Sequence, residues 1–211
     1  MHIQEWLQLL AEQFKQTYWL QWLGLLFGVS EVLLARANKI TLYPTGIAAS
    51  AISIYLLWKA GLYGECLLSF YYIVMSVYGW WYWIKKKNVP PVKISYSTKK
   101  EWMIVSCIVV GGYLLLYLLL THLTPSTVPH WDAWVTATAW AGMWLLARRK
   151  IENWILLNIS NAFAIPLLFN KALPLYALLT IFLFTVAVQG YYSWRKKIKE
   201  DNETSTLRTF L

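Results

Sequence analysis

Charge is scarce in this chain: only 14% of its 211 residues are Asp, Glu, Lys or Arg, while 58% are hydrophobic. A soluble domain carries about 25% charged residues, so this balance excludes an ordinary water-soluble fold. Histidine is scarcer still. His2 and His130 lie outside the apolar runs and His122 at the very end of one, with no spacing that would gather them on a metal ion. The sequence shows no nucleophile beside a base, no paired acid and base and no metal set, and so does not read as an enzyme. A glycine-rich phosphate loop is also missing, which removes ATP-driven pumping by this chain, and no cofactor is expected. Cysteine is limited to Cys66 and Cys107 in separate apolar runs, which read as small buried hydrophobes rather than a disulfide or a metal pair. A cleavable signal peptide is not expected either. Residues 1–18, MHIQEWLQLLAEQFKQTY, mix apolar and charged positions and read as an amphipathic helix on the membrane surface.

Aromatic residues are abundant. The 14 Trp and 14 Tyr suit a membrane protein, because their half-apolar rings settle at the level of lipid headgroups. A net charge of +9 raises the question of nucleic acid, but the basic residues form short clusters between apolar runs instead of one basic face, so no nucleic-acid partner is expected. A spanning helix needs about 20 mostly apolar residues. Seven candidates meet that need, at about 19–35, 42–60, 64–84, 102–123, 131–147, 151–170 and 173–194, separated by charge or turn signals such as KAGLYG, HLTPSTVPH and NKALP. Lys and Arg in short loops stay on the cytoplasmic side. Counting alternate loops places sixteen basic residues, in the clusters at 36–39, 85–100, 148–150 and 195–208, on one side and only Lys15, Lys59 and Lys171 on the other. The N-terminus is therefore expected outside and the C-terminus in the cytoplasm.

Three segments recur. LLARANK (33–39) returns as LLARRK (145–150), LWKAGLY (57–63) as FNKALPLY (169–176), and YGWWYWIKK (78–86) as QGYYSWRKK (189–197). Two three-span units share a direction only if one span lies between them, and WMIVSCIVVGGYLLLYLLL supplies it. The fold class expected is an all-α integral membrane protein with seven transmembrane helices in a 3+1+3 parallel repeat. The divisions are an N-terminal amphipathic helix at 1–18, a first repeat at 19–84, a cytoplasmic loop and linking helix at 85–130, a second repeat at 131–194 and a cytoplasmic tail at 195–211. Such a plan places a cavity between the halves, near the bilayer midplane.

Polar residues inside the runs are the candidates for its lining, since unpaired polar groups in lipid are costly. Glu31 lies inside the first span with no adjacent charge. Asn158 and Asn161 are one turn apart, and Trp154 precedes them by four and seven positions on the same face, a grip for a sugar or heteroaromatic ring. The competing reading of the amides is interhelical hydrogen bonding. Ser69, Tyr72, Ser76 and Trp80 form a second stripe, with Tyr71 and Tyr82 off it and Trp81, Tyr82 and Trp83 forming an interfacial belt. Glu65, Asp132 and Glu152 open helices, where the dipole favours a carboxylate, and Glu152 follows Arg148 and Arg149 at ion-pair spacing.

YPTGI (43–47), YY…MSVYGWWYW (71–83) and ARRKIENW (147–154) with its continuation to Asn161 together resemble the PnuC family of vitamin-precursor transporters. The resemblance covers nearly all the chain after residue 18. It implies a fold similar to a doubled SWEET sugar transporter, a homotrimer in the bacterial inner membrane, and facilitated diffusion of a vitamin precursor. The cargo it implies is nicotinamide riboside, trapped by cytoplasmic phosphorylation. The family's pattern of two Trp three positions apart, followed four later by Asn or Asp, is matched by Trp154 and Asn161, whereas Leu157 stands in the middle position and Asn158 adds an amide beside it. A cationic ring such as the pyridinium of nicotinamide riboside or the thiazolium of thiamine suits aromatic faces and a carboxylate, so the residues leave both cargoes open. A structural membrane protein without transport is the alternative of a different class.

Overall fold

The computed structural model describes residues 3–59, 63–85, 93–124 and 126–209. They form eight helices: α1 (Ile3–Gln16), α2 (Trp19–Arg36), α3 (Leu42–Lys59), α4 (Tyr63–Lys85), α5 (Lys99–Leu123), α6 (Pro129–Ala147), α7 (Asn153–Asn170) and α8 (Pro174–Thr209). The only extended pairing among the described residues is a single parallel bridge between Ser95 and Lys150. By length and composition, Lys99–Leu123 and Pro174–Thr204 are long and apolar enough to cross a membrane, with mean hydropathies of 2.5 and 1.6. α1 is bent by 103° from α2. It is tied to the start of α8 by Gln13, whose amide donates to the Ala172 carbonyl at 2.8 Å and accepts from the Leu175 N–H at 3.2 Å.

Local chemistry sets the helix ends. Thr98 and Glu101 form a reciprocal capping box on α5, with the Glu101 N–H donating to Thr98 Oγ1 and the Thr98 N–H to Glu101 Oε2, which satisfies two otherwise orphaned groups. Pro129 begins α6, where its missing N–H costs nothing. α2 and α6 stop in the same way. Asn38 and Arg149 adopt φ of 58° and 56°, and their N–H groups return to the carbonyls of Ala35 and Leu146, both at 2.9 Å. Such left-handed residues end a helix by satisfying its last carbonyls.

The packing has a twofold character. α2, α3 and α4 pack in sequence, as do α6, α7 and α8, while α2 meets α8 and α4 meets α6 across the middle; α5 packs on α6. α3 and α7 are both 18 residues long and begin 111 positions apart. At one end of the bundle, the Trp83 indole N–H donates to the Ala147 carbonyl at 3.0 Å and the Trp194 indole N–H to the Ala35 carbonyl at 3.1 Å. Each of these rings also meets another edge to face: Tyr43 against Trp83 at 5.1 Å and Trp154 against Trp194 at 5.6 Å, both at 88°. These four rings, with Ala35, Leu42, Leu146 and Ile151, form the main buried cluster. It sits where Arg36, Arg148, Arg149 and Lys197 gather, while Lys171 pairs with Asp132 at the opposite end of α7 and the first turn of α6.

Two expectations change here. Trp83 does not belong to an interfacial belt, being 6% exposed under the Arg149 guanidinium, 3.8 Å from its ring centroid. Trp81 is exposed as expected, and Tyr82 is half-buried beneath Arg148. Glu152 does not pair with the arginines before it, because the left-handed turn at Arg149 breaks the helical spacing. It instead accepts from the Ser97 N–H at 2.9 Å and from Ser97 Oγ at 2.8 Å. Glu101 takes the basic partners, with Lys150 at 3.0 Å and Arg148 at 3.6 Å. The segment before α5 is thus clamped to the α6–α7 turn. Replacing Glu152 with Ala is expected to cost about 1–3 kcal/mol, because Ser97 would be left with unpaired donors; a lowered melting temperature in detergent checks it.

Candidate functional site

A cavity of 580 Å³ lies between α2, α3, α4, α7 and α8. Five residues expected at the site line it: Glu31 from α2, Ser69 and Tyr72 from α4, and Trp154 and Asn161 from α7. The structure does not bring the other three to it. Ser76 is 1% exposed and its hydroxyl has no hydrogen-bond partner among the described residues. Asn158 is half-buried, with its Oδ1 likewise unpartnered, and Trp80 lies on the exposed outside of α4. The wall also includes Gln21, Ser53, Leu157 and Tyr176. Gln21 and Ser53 were not expected at the site; polarity inside an apolar run is the signal that could have found them, and Ser53 follows Ser50 by one helical turn.

At one end the cavity stops on the main buried cluster, since Trp154 and Ala187 belong to both and Val32 and Leu157 pack against it. At the other end its lining reaches Gln21 near the start of α2, Leu57 near the end of α3 and Tyr176 in the first turn of α8. Trp154 is the hinge between cavity and core. Its ring is 1% exposed and is wedged against Gly190, where a Cβ would lie 2.7 Å from Trp154 Cε2 and Cζ2. Its indole nitrogen is buried and has no hydrogen-bond partner among the described residues.

Glu31 is seated by another glycine. A Cβ on Gly46 would lie 2.6 Å from Glu31 Cδ and 2.9 Å from Oε2, so the carboxylate fills the notch that this residue leaves in α3. The corresponding pair in the other half, 111 positions on, exchanges the sizes: Gly142 on α6 faces Leu157 on α7, whose Cδ2 would be 2.9 Å from an added Cβ. Each half therefore fits one large side chain against one glycine, but the large one is a carboxylate in the first half and leucine in the second.

The remaining carboxylates play other parts. Asp132 binds Lys171 at 2.6 Å and accepts from Ser126 Oγ at 2.6 Å. The side chain of Glu65 lies outside the described residues. His130 is paired with the Tyr113 hydroxyl at 2.9 Å and stacks on Tyr117, away from Asp132. Cys66 and Cys107 are both free, and the described residues contain no group of three or more metal-ligating side chains.

Rings and a few polar groups around a cavity inside an apolar helical bundle define a class, the helical membrane transporters. Residues 18–196 match the family described as nicotinamide mononucleotide transporter, and the chain belongs to that family. Among curated relatives, the nicotinamide riboside transporter PnuC of Escherichia coli is 22% identical over 209 residues, covering 86% of this chain and 87% of the relative. The Haemophilus influenzae protein of the same name is 27% identical over 194 residues, with 86% and 82% covered. A crystal structure of the vitamin B3 transporter PnuC is similar with a TM-score of 0.69 at 25% identity, covering 92% of this chain and 90% of that one. The resemblance read from YPTGI and ARRKIENW is therefore borne out.

Proposed function

We propose that this chain carries nicotinamide riboside across the bacterial inner membrane by facilitated diffusion, with cytoplasmic phosphorylation trapping the product. The observation that carries this reading is the cavity, in which the Trp154 ring and the Asn161 amide on one face of α7 meet Tyr72, Ser69 and Glu31 from the other half. A flat ring bearing an amide and a ribose finds there an aromatic surface, amide and hydroxyl partners and a carboxylate. The relatives named as nicotinamide riboside transporters support the cargo. A purely structural membrane protein has no use for such a cavity, and the chain acts here as a carrier with no chemistry on its cargo.

The membrane arrangement that goes with this function is seven spans, α2 to α8, in two three-helix units flanking α5. The paired indole caps, the matching left-handed turns and the equal lengths of α3 and α7 support the duplication. An 18-residue helix is about 27 Å long, close to the hydrocarbon core of about 30 Å. The basic end of the bundle is cytoplasmic by the positive-inside rule, so the N-terminus is outside and the cavity is reached from the external side. A homotrimer would cover the apolar side chains that α5 exposes, among them Met103, Val110, Leu114 and Leu118; lipid covers the rest.

A binding titration of the purified protein with nicotinamide riboside, thiamine and riboflavin tests the cargo. Micromolar binding of the first is expected, and its absence overturns the assignment. Asn161→Ala should weaken that binding about 5- to 30-fold, the loss of one or two good hydrogen bonds. Uptake into proteoliposomes should be insensitive to imposed proton and sodium gradients.

A further inference from the structure

Glu31 is an unusual wall residue. Among the described residues lining the cavity it is acidic and none is basic. Its carboxylate makes no hydrogen bond or salt bridge within the described residues, although Tyr43 and Tyr72 lie close enough to interact with it electrostatically. The equivalent position across the twofold relation is glycine, facing Leu157. Packing alone would be served by an apolar side chain in the Gly46 notch, as Leu157 serves the other half. A carboxyl group kept at the wall of an apolar cavity without a protein partner is costly. That cost is offset when a cation arrives, because a charge pair excluded from water interacts far more strongly than an exposed one.

We propose that Glu31 is the specificity-determining residue that makes the cavity select a monocation over neutral or anionic molecules of the same shape. The carboxylate pairs with the delocalised positive charge of the cargo's ring, while Trp154 and Asn161 hold its face and polar substituents. The asymmetry between Glu31 and Leu157 also fixes orientation. The cationic ring turns toward the α2–α3 wall, and the apolar side of the cargo toward Leu157. This inference rests on the proposed cargo, and it excludes a molecule carrying an additional carboxylate in place of the amide, which would face Glu31 with like charge.

The test compares two ligands with the same substituents: nicotinamide riboside, a cation, and its 1,4-dihydro form, which is neutral. Both are titrated into the full-length protein in detergent at constant pH and ionic strength, for the wild type and for Glu31→Gln, which keeps the shape that fills the Gly46 notch. The wild type should bind the cation at least about tenfold more tightly than the dihydro form, the preference expected of one close charge pair. In Glu31→Gln that ratio should fall to within about threefold, through weaker binding of the cation, with the neutral ligand retained. An undiminished preference in the variant overturns the inference, as does equal loss of both ligands. A wild type that binds both compounds alike removes the inference and leaves the cargo standing. If the wild type binds neither, the cargo is wrong and the inference falls with it. Should Glu31→Gln not fold, Glu31→Leu, which fills the Gly46 notch as Leu157 fills that of Gly142, takes its place with the same ratio read.

Discussion

Gly190→Ala is expected to lower the melting temperature by several degrees and to abolish ligand binding, although it adds a single methyl group. Within a helix, Gly→Ala ordinarily stabilises by about 1 kcal/mol. Here the new Cβ would lie 2.7 Å from two atoms of the Trp154 ring, and that ring is held from the other side by Trp194. Neither can rotate away, since both are buried in the main cluster. Overpacking a tight core costs typically 1–3 kcal/mol, enough to reverse the propensity gain. The displaced ring is also the cavity wall, so binding should be lost with stability. Gly28→Ala and Gly111→Ala are the controls. Nothing lies within 4 Å of a Cβ at either position, and both variants should be as stable as the wild type or more so. Thermal unfolding in detergent, with a ligand titration on each variant, reads all three. A Gly190→Ala protein as stable as the Gly28→Ala control would show that α8 can slide away from α7 and that the wedge is not tight.

The helices themselves were legible because the information that makes them is local. Apolar runs expected at 19–35, 42–60 and 102–123 are helices Trp19–Arg36, Leu42–Lys59 and Lys99–Leu123, bounded by a capping box and by basic turns that can be read residue by residue. The repeated segments were legible for the same reason, and the structure sets Trp83 and Trp194 in matching roles. What could not be read was burial at the helix ends. Trp83 precedes a run of lysines and looks like an interfacial ring, and only the approach of α6 turns it into a cap on the Ala147 carbonyl. Likewise, the spacing of Glu152 behind two arginines has meaning only inside a helix, and Arg149 is in the left-handed region.

The site was half legible, and the two stripes fail for different reasons. At 100° per residue, Asn161 and Leu157 lie on one side of Trp154 around α7, whereas Asn158 lies on the other. The cavity is narrow enough to separate them: it takes the first two and leaves Asn158 out. On α4 the angle is right and the depth is wrong. Ser76 points the same way as Ser69 and Tyr72 but lies about 6 Å beyond Tyr72 along the axis, while Trp80, about 12 Å beyond Tyr72, is exposed on the outside of α4. By that depth the aromatic cluster has closed the bundle. Periodicity gives a direction around a helix, and the level at which a neighbouring helix closes on it is a tertiary property.

Trp154 and Trp194 allow the roles of cavity wall and scaffold to be separated. The two rings touch edge to face and are both almost wholly buried, so truncating either to Ala should cost about 3–5 kcal/mol. Their indole nitrogens differ. That of Trp194 donates to the Ala35 carbonyl, whereas that of Trp154 has no partner among the described residues and belongs to a ring on the cavity wall. Trp194→Phe removes a buried hydrogen bond and leaves the Ala35 carbonyl at the end of α2 with its backbone donor, the Asn38 N–H, alone. A stability loss of about 1–3 kcal/mol is expected, with affinity for nicotinamide riboside changed by less than about threefold. Trp154→Phe removes no hydrogen bond among the described residues but reshapes the wall that this ring gives the cavity. Affinity should fall by about tenfold or more, the equivalent of about 1.4 kcal/mol, with a smaller loss of stability than in Trp194→Phe. Melting temperatures and binding titrations on the two variants therefore should rank them in opposite orders. If Trp154→Phe binds like the wild type, Trp154 is scaffold alone, and recognition of the ring must be sought at Tyr72 across the cavity.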